Sequence, residues 1–284
     1  MEVNDKVGIV CCSNSLHITI KDKIELLKGV LIQLGLRPVF SQYMYENELD
    51  FKDCGKYRAK ILMDFYRDEE IKAIFDISGG DIANQILPYL DFELIKKSDK
   101  LFWGYSDLTT IINAIYAKTE NKSVLYQIRN LVSTESEIQI NNFSNTFFQN
   151  KRDLYTFEYE FIQGNYMHGI VVGGNIRCLL KLAGTMYWPN MEKKVLLLEA
   201  QSGDVNKMIT YLSQLKQLGV FDKINGIILG TFIEMEKSEF LPTITELVKY
   251  YVNDDLAIIK TNEIGHGYNS KAIIIGEIVE FMKC

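Results

Sequence analysis

No stretch of this 284-residue chain runs together enough apolar residues to cross a bilayer, which takes about 20. A membrane partner is therefore not expected. Basic residues are not in excess either: 31 Lys and Arg stand against 37 Asp and Glu, a formal net charge of -6. That sign offers no field to a nucleic-acid backbone, so none is expected as a partner. Histidine is scarce, with His17, His168 and His266 far apart and no Cys or His at ligand spacing, which argues against a dedicated zinc site. The five cysteines are an odd number, Cys11 and Cys12 are adjacent, and no Cys-x-x-Cys occurs. Reduced structural thiols are expected rather than a disulfide framework or a zinc ribbon. There is no Gly-x-Gly-x-x-Gly after the first strand and no Gly-x4-Gly-Lys-Ser/Thr, so no nucleotide cofactor is called for, and no other cofactor is expected. The first residues lack the basic-then-apolar layout of an export signal, and the expected location is cytoplasmic.

What the chain does have is apolar residues, 47% of the total, enough for one large core or two smaller ones. Short apolar strands alternate with helical periodicity: Val7 to Cys11, a helix around Lys21 to Gly35, Arg37 to Ser41, a helix from Lys56 to Arg67, and strands at Ile71 to Ile77 and Leu101 to Tyr105. That rhythm predicts an α/β fold whose amino-terminal, mainly parallel sheet is flanked by helices, Rossmann- or flavodoxin-like, over residues 1–165. From about Asn121 to Gly164 the composition turns to Asn, Ser, Gln, Thr and Lys and reads as a connecting region, with Tyr155, Phe157, Tyr159 and Phe161 alternating as a strand. A second, smaller α/β domain is expected over 166–284, with strands near Gly169, Val195, Gly226, Leu256 and Lys271.

Ligand crevices in such sheets lie beyond the carboxyl ends of the strands, and two turns fall there: Ser78-Gly79-Gly80 and Gly104-Tyr105-Ser106. Ser106 sits where a strand hands over directly to a helix, so its hydroxyl would project beside the unpaired first amides of that helix. The motif lacks the second glycine of the usual hydrolase elbow, and Ser106 or Asp107 also reads as a plain helix cap. Two further reactive groups follow apolar segments in the second half, Glu199 and His266. An imidazole can take a serine proton and a carboxylate can fix its tautomer, although a strand-end ion pair and a turn histidine are equally open readings. Arg177, after Gly173-Gly174-Asn175, is a candidate for carboxylate recognition beside its reading as a structural arginine. Asn175 and Tyr105 complete the substrate-binding candidates.

Taken together, Ile77-Ser-Gly-Gly80, Ile86-Leu-Pro-Tyr-Leu-Asp91, Gly104-Tyr-Ser-Asp-Leu-Thr109, Val172-Gly-Gly-Asn175, Leu182-Ala-Gly-Thr185, Leu198-Glu199 and Gly265-His266 resemble, in order and over nearly the whole chain, the LD-carboxypeptidase family of serine peptidases. That family includes the microcin C7 self-immunity proteins. The resemblance implies Ser106 as nucleophile, His266 as general base and Glu199 as its orienting partner. It also implies an oxyanion hole from the amide of Asp107 with one from Gly79 or Gly80, and a homodimer. Its members cut amide bonds near a free carboxyl terminus, among them murein tetrapeptides in peptidoglycan recycling. The microcin-immunity branch, to which Leu90-Asp-Phe-Glu-Leu-Ile-Lys-Lys97 is closer, acts on peptidyl-nucleotide or aminoacyl conjugates. Where members usually show His-Gly-Pro, this chain has Leu125-Tyr-Gln-Ile-Arg129. The loop after Glu199 is less acidic than is typical, and prolines are missing around His266. These departures surround the triad and bear on substrate choice. The reading of another class is a non-catalytic sensor of the same ligands.

Overall fold

The computed structural model describes residues 1–46 and 54–283. Its elements run β1 (Lys6–Val10), α1 (Lys21–Gln33), β2 (Arg37–Phe40), α2 (Cys54–Arg67), β3 (Ile71–Asp76), α3 (Phe92–Lys96), β4 (Leu101–Gly104), α4 (Thr109–Thr119), β5 (Ser123–Leu125) and α5 (Ser136–Phe148). The second half follows as β6 (Glu160–Gln163), β7 (Tyr166–Asn175), α6 (Ile176–Leu180), β8 (Lys194–Ala200), α7 (Val205–Gln217), β9 (Gly226–Phe232), α8 (Ile233–Lys237), α9 (Ile244–Tyr251), β10 (Ala257–Lys260), β11 (Ile273–Ile275) and β12 (Ile278–Met282).

Two six-stranded sheets result. The first has the order β11-β5-β4-β3-β1-β2, parallel from β2 to β5 with β11 antiparallel at the edge. Read from the other edge, its parallel part is the 2-1-3-4-5 order of flavodoxin-like sheets, whose ligand crevice opens where β1 and β3 diverge. The second sheet, β12-β7-β8-β9-β10-β6, has four parallel central strands and an antiparallel strand at each edge. Its central strands are buried on both faces, and so Val195 to Leu198 and Ile227 to Leu229 read as unbroken apolar runs rather than as alternation.

The two halves are not separable at one point in the chain. β6 ends before residue 165 yet pairs with β10 in the second sheet, and β11 returns from the far end of the chain to the first sheet. The region read as a connector contains β5 and the 13-residue helix α5. Its polar composition hides a narrow apolar stripe: Phe143 is fully buried and packs at a tilt against Phe75 and Phe147, and Phe147 packs edge-on against Trp103. Of the aromatic alternation from Tyr155 to Phe161, only the last residue lies in a strand, while Phe157 and Tyr159 pack on Phe281.

Helix α4 lies between the sheets. Ile111, Ile112 and Ile115 are fully buried and join Val171, Val195 and Leu197 of the second sheet in one continuous apolar cluster. Each such side chain contributes on the order of 1.5–3 kcal/mol by leaving water. Polar groups then set the register. Asn113 Nδ2 donates to Gly173 O at 2.9 Å and its Oδ1 accepts from Gly173 N at 2.8 Å, while Thr109 Oγ1 accepts from Asn175 N and Thr110 Oγ1 donates to Cys178 O. Gly174, at φ 135°, has no room for a side chain: a Cβ would sit 2.7 Å from Thr109 Oγ1. The Gly173-Gly174-Asn175 motif is thereby accounted for by close approach of α4.

Candidate functional site

The elbow at Ser106 follows from steric limits on either side of it. Trp103 and Gly104 close a buried strand, and the chain turns at once into a single 3-10 turn, Ser106–Leu108, that leads α4. So sharp a turn holds Ser106 at φ 55°, a left-handed conformation that a non-glycine residue adopts only when its surroundings hold it there. Gly104 permits the turn, since a Cβ there would lie 2.6 Å from Leu108 Cβ. Asp107 is the first residue after the serine, and its N–H belongs to the set of amides that an opening helical turn leaves without an intrahelical acceptor.

Glu199 and His266 come from the second sheet. Glu199 is the last but one residue of the buried β8, where the ladder with β9 shifts register between Leu198 and Ala200, an irregularity that re-aims a side chain. Gly230 makes the space, because a Cβ there would approach Glu199 Cβ to 3.1 Å and Ile264 O to 2.4 Å. His266 lies on the loop after β10. Its N–H donates to Thr231 Oγ1 at 3.1 Å, and Thr231 N donates to Ile264 O at 2.8 Å. Gln139 of α5, fully buried, reaches across to donate to the carbonyls of Tyr268 and Ser270. The segment that reads as a connector therefore braces the histidine loop.

The structure brings the three expected residues together. His266 Nε2 is 3.1 Å from Ser106 Oγ, and His266 Nδ1 is 2.5 Å from Glu199 Oε2. Glu199 is fully buried and its Oε1 finds no hydrogen-bond partner among the described residues. A buried carboxylate whose one partner is an imidazole has its strongest available stabilisation in that imidazole becoming cationic. The Tyr105 ring packs on the imidazole at 4.4 Å between centroids. Burial, with Glu199 nearby, pushes the Tyr105 phenol well above its ordinary value, so it stays neutral.

Opposite the serine, the turn after β3 is held by Asp76. Its carboxylate accepts from Ser78 N, Ser78 Oγ and Cys12 N, and burial raises it above the ordinary carboxylate range despite those hydrogen bonds. Ser13 and Asn14, at the end of β1, complete the turn. Ser13 N donates to Ser78 Oγ, Asn14 N to Gly79 O, and Asp81 N to Asn14 Oδ1. Gly79 has open space where a side chain would stand, while Gly80, at φ 119°, would drive a Cβ to 2.3 Å from Asn14. Ser106, His266, Gly79 and Gly80 line one cavity of about 420 Å³.

Two of the substrate-binding candidates lie elsewhere. Arg177 pairs with Asp81 and donates to Gly80 O at 2.9 Å, and Asn175 caps α6 by accepting from Cys178 N. Neither lines the cavity, whereas Tyr105 does. Arg177 thus acts on the turn from behind. Residues that sequence reasoning passed over are Ser13 and Asn14, for which the end of β1 at the sheet's switch point is the available signal. Arg129, at the departure from His-Gly-Pro, also lines the cavity. Among the described residues no cluster of His, Cys, Asp and Glu could hold a metal ion, and no helix is long and apolar enough to cross a membrane. Cys11, Cys12, Cys54 and Cys178 are buried and form no disulfide, and Cys284 lies outside the described residues.

Chemically, the arrangement can deliver a serine oxygen to an electrophilic carbonyl, move its proton through His266, and meet the resulting oxyanion with backbone N–H groups. Gly265 tests the loop's part in this. It sits at φ 139°, and a Cβ there would lie only 2.0 Å from Thr231 Oγ1, so Gly265→Ala is expected to displace His266. The expected result is a loss of turnover of about 100-fold or more at nearly unchanged substrate affinity, measured as kcat against KM, since a displacement near 1 Å costs that much.

Comparison with known proteins places these features in context. Profiles of the LD-carboxypeptidase N-terminal domain and C-terminal domain match residues 7–126 and 168–281. A protein of Treponema pallidum (strain Nichols) that carries a provisional carboxypeptidase name is 30% identical over 253 residues, 81% of this chain and 75% of that one. A probable murein peptide carboxypeptidase of Bacillus subtilis (strain 168) is 29% identical over 268 residues, 89% of this chain and 82% of that one. The microcin C7 self-immunity protein MccF of Escherichia coli is 26% identical over 266 residues, 81% of this chain and 76% of that one. Among solved structures, MccF in complex with aspartyl sulfamoyl adenosine superposes with a TM-score of 0.86 at 21% identity, covering 99% of this chain and 93% of that one.

Proposed function

Since this chain belongs to the LD-carboxypeptidase family, whose relatives carry carboxypeptidase and microcin-immunity names, we propose that it is a serine-type hydrolase of an amide bond close to a free carboxyl terminus. The observation that carries this reading is the continuous series Ser106 Oγ, His266 Nε2, His266 Nδ1, Glu199 Oε2, with contacts of 3.1 and 2.5 Å. Ser106 Oγ attacks the carbonyl carbon as its proton passes to His266 Nε2. Glu199 stabilises the imidazolium so formed. The amide of Asp107, with one from Gly79 or Gly80, holds the oxyanion, and such donors are worth about 3–4 kcal/mol each in the transition state. His266 then protonates the leaving amine, and water attacks the acyl-enzyme by the reverse route with His266 as base.

The substrate of this reading is a murein tetrapeptide that loses its terminal D-alanine, and the protein is then a cytoplasmic homodimer in peptidoglycan recycling. The similarity to MccF makes peptidyl-nucleotide or aminoacyl conjugates the second substrate class. The test is release of D-alanine from L-Ala-γ-D-Glu-diaminopimelate-D-Ala, followed by mass spectrometry with wild type beside Ser106→Ala. Release by wild type alone is expected. Release by both proteins would remove Ser106 from the chemistry. No release by either, with hydrolysis of glutamyl adenylate by wild type, would move the substrate to the second class. Binding without hydrolysis of either ligand would leave a sensor.

A further inference from the structure

We propose that Arg129 anchors a carboxylate of the substrate and so decides which end of a peptide the Ser106 cavity accepts, an inference that rests on the hydrolase reading above. In a chain of net charge -6, no Asp or Glu among the described residues lines the cavity, although it is built largely from polar side chains and backbone. Arg129 is the one obligate cation among the described residues that line it. Arg67, Arg177, Lys181 and Lys260 each pair with a protein carboxylate. By contrast, no carboxylate of the described residues lies within ion-pair distance of Arg129, and its guanidinium makes no hydrogen bond with them. The acidic groups that act on it through space are Cys11 and, after it, Asp76, and the Asp76 carboxylate is already occupied by Cys12 and Ser78. The guanidinium is largely desolvated, which lowers its pKa from the ordinary value, yet an arginine remains charged.

A desolvated cation without a counter-charge is costly to keep in a folded protein unless a ligand supplies the partner. The backbone here is held for it. Gln127 Oε1 accepts from Arg129 N, which starts a short turn over Ile128–Val132, and the flanking Ile128 and Leu131 are buried in the core. Arg129 is thereby presented from a fixed base, as bidentate recognition of a planar carboxylate requires. Other charge at the mouth is small: His17 lines the rim and faces Glu46 at 3.8 Å. A cavity of about 420 Å³ takes a ligand the size of a few residues, so a carboxylate on Arg129 and a carbonyl at Ser106 would belong to the same short substrate.

Arg129 is a specificity residue in this proposal. The experiment uses Ser106→Ala protein, which does not turn over, and measures by calorimetry its binding of the tetrapeptide L-Ala-γ-D-Glu-diaminopimelate-D-Ala and of the same peptide as its C-terminal amide. The acid is expected to bind about 10- to 100-fold more tightly. Adding Arg129→Gln should abolish that difference by weakening the acid alone, and Arg129→Lys, which keeps charge without the planar fork, should restore part of it. The acid–amide comparison needs no Arg129 variant, so it stands even if a substitution unfolds the protein. Equal binding of acid and amide, or an equal loss of both in Arg129→Gln, overturns the proposal. So does Arg129-dependent binding of glutamyl sulfamoyl adenosine with none of the tetrapeptide, since the anion would then be the sulfamoyl linkage. Acid preference that depends on Arg129 in a protein that releases no D-alanine would leave the anchor standing and the hydrolase reading fallen; release from acid and amide alike would do the reverse.

Discussion

Ser106→Ala is expected to lower kcat on the cleaved substrate by roughly 10⁴- to 10⁶-fold while leaving the fold and substrate binding intact. On the proposed mechanism, attack, proton transfer and acyl-enzyme formation would all pass through one oxygen, 3.1 Å from His266 Nε2, which alanine removes. Residual rate over water would come from the backbone donors at Asp107 and the Gly79-Gly80 turn, which the substitution does not touch. His266→Ala should cost nearly as much, and the double variant little more than either single one, because members of such a set act as a unit. Glu199→Gln keeps the shape but loses the charge that stabilises the imidazolium, and a loss of about 10²- to 10⁴-fold in kcat is expected. Steady-state kinetics of the four proteins, with thermal melts alongside, checks the series. Additive losses in Ser106 and His266 would show that the two do not act together.

Lys181→Met is expected to lower the free energy of unfolding by about 3–5 kcal/mol, read from urea denaturation. Asp107 is fully buried and its carboxylate accepts from Ser13 Oγ, Ala83 N and Lys181 Nζ. Lys181 is its one ion-pair partner among the described residues, with Arg177 acting only through space, and Lys181 comes from the end of α6 in the other half of the molecule, where it also donates to Asp81 O. Removing one partner from such a pair leaves an uncompensated charge inside, which costs more than the pair itself contributes. Asp107→Asn with Lys181→Met should therefore be more stable than Lys181→Met alone, and the double-mutant cycle should show a coupling of about 1–3 kcal/mol. The same ion pair sits directly behind the serine, so Lys181→Met should also lower kcat more than it changes KM.

Much of this site was legible before any fold was known. Ser106, Glu199 and His266 each follow an apolar segment, and the structure joins them by hydrogen bonds. Two of the readings that the structure places differently have identifiable reasons. Arg177 follows a glycine pair that looks like a binding loop, but Gly174 is there so that Thr109 can approach, and the arginine is spent on Asp81 and Gly80. Region 121–164 reads as a linker because α5 buries only a narrow stripe, while its Asn and Gln side chains lend it the composition of a loop. Gln139, which holds the histidine loop, carries no local signal, since its partners at Tyr268 and Ser270 lie about 130 positions away.

Local patterning was enough for the elements: apolar runs of period two or unbroken for the strands, helical spacing between them, and glycine where a strand must turn into a helix. These depend on residues within a few positions of one another. Tertiary structure alone could decide which ends of the two sheets face each other, that β6 and β11 cross the expected boundary, and that, among the described residues, Arg129 lacks an ion-pair partner and no carboxylate lines its cavity. Such facts are sums over distant residues. A sequence shows which groups are present, but whether a charge is paired or a hydroxyl meets an imidazole depends on where the whole chain packs.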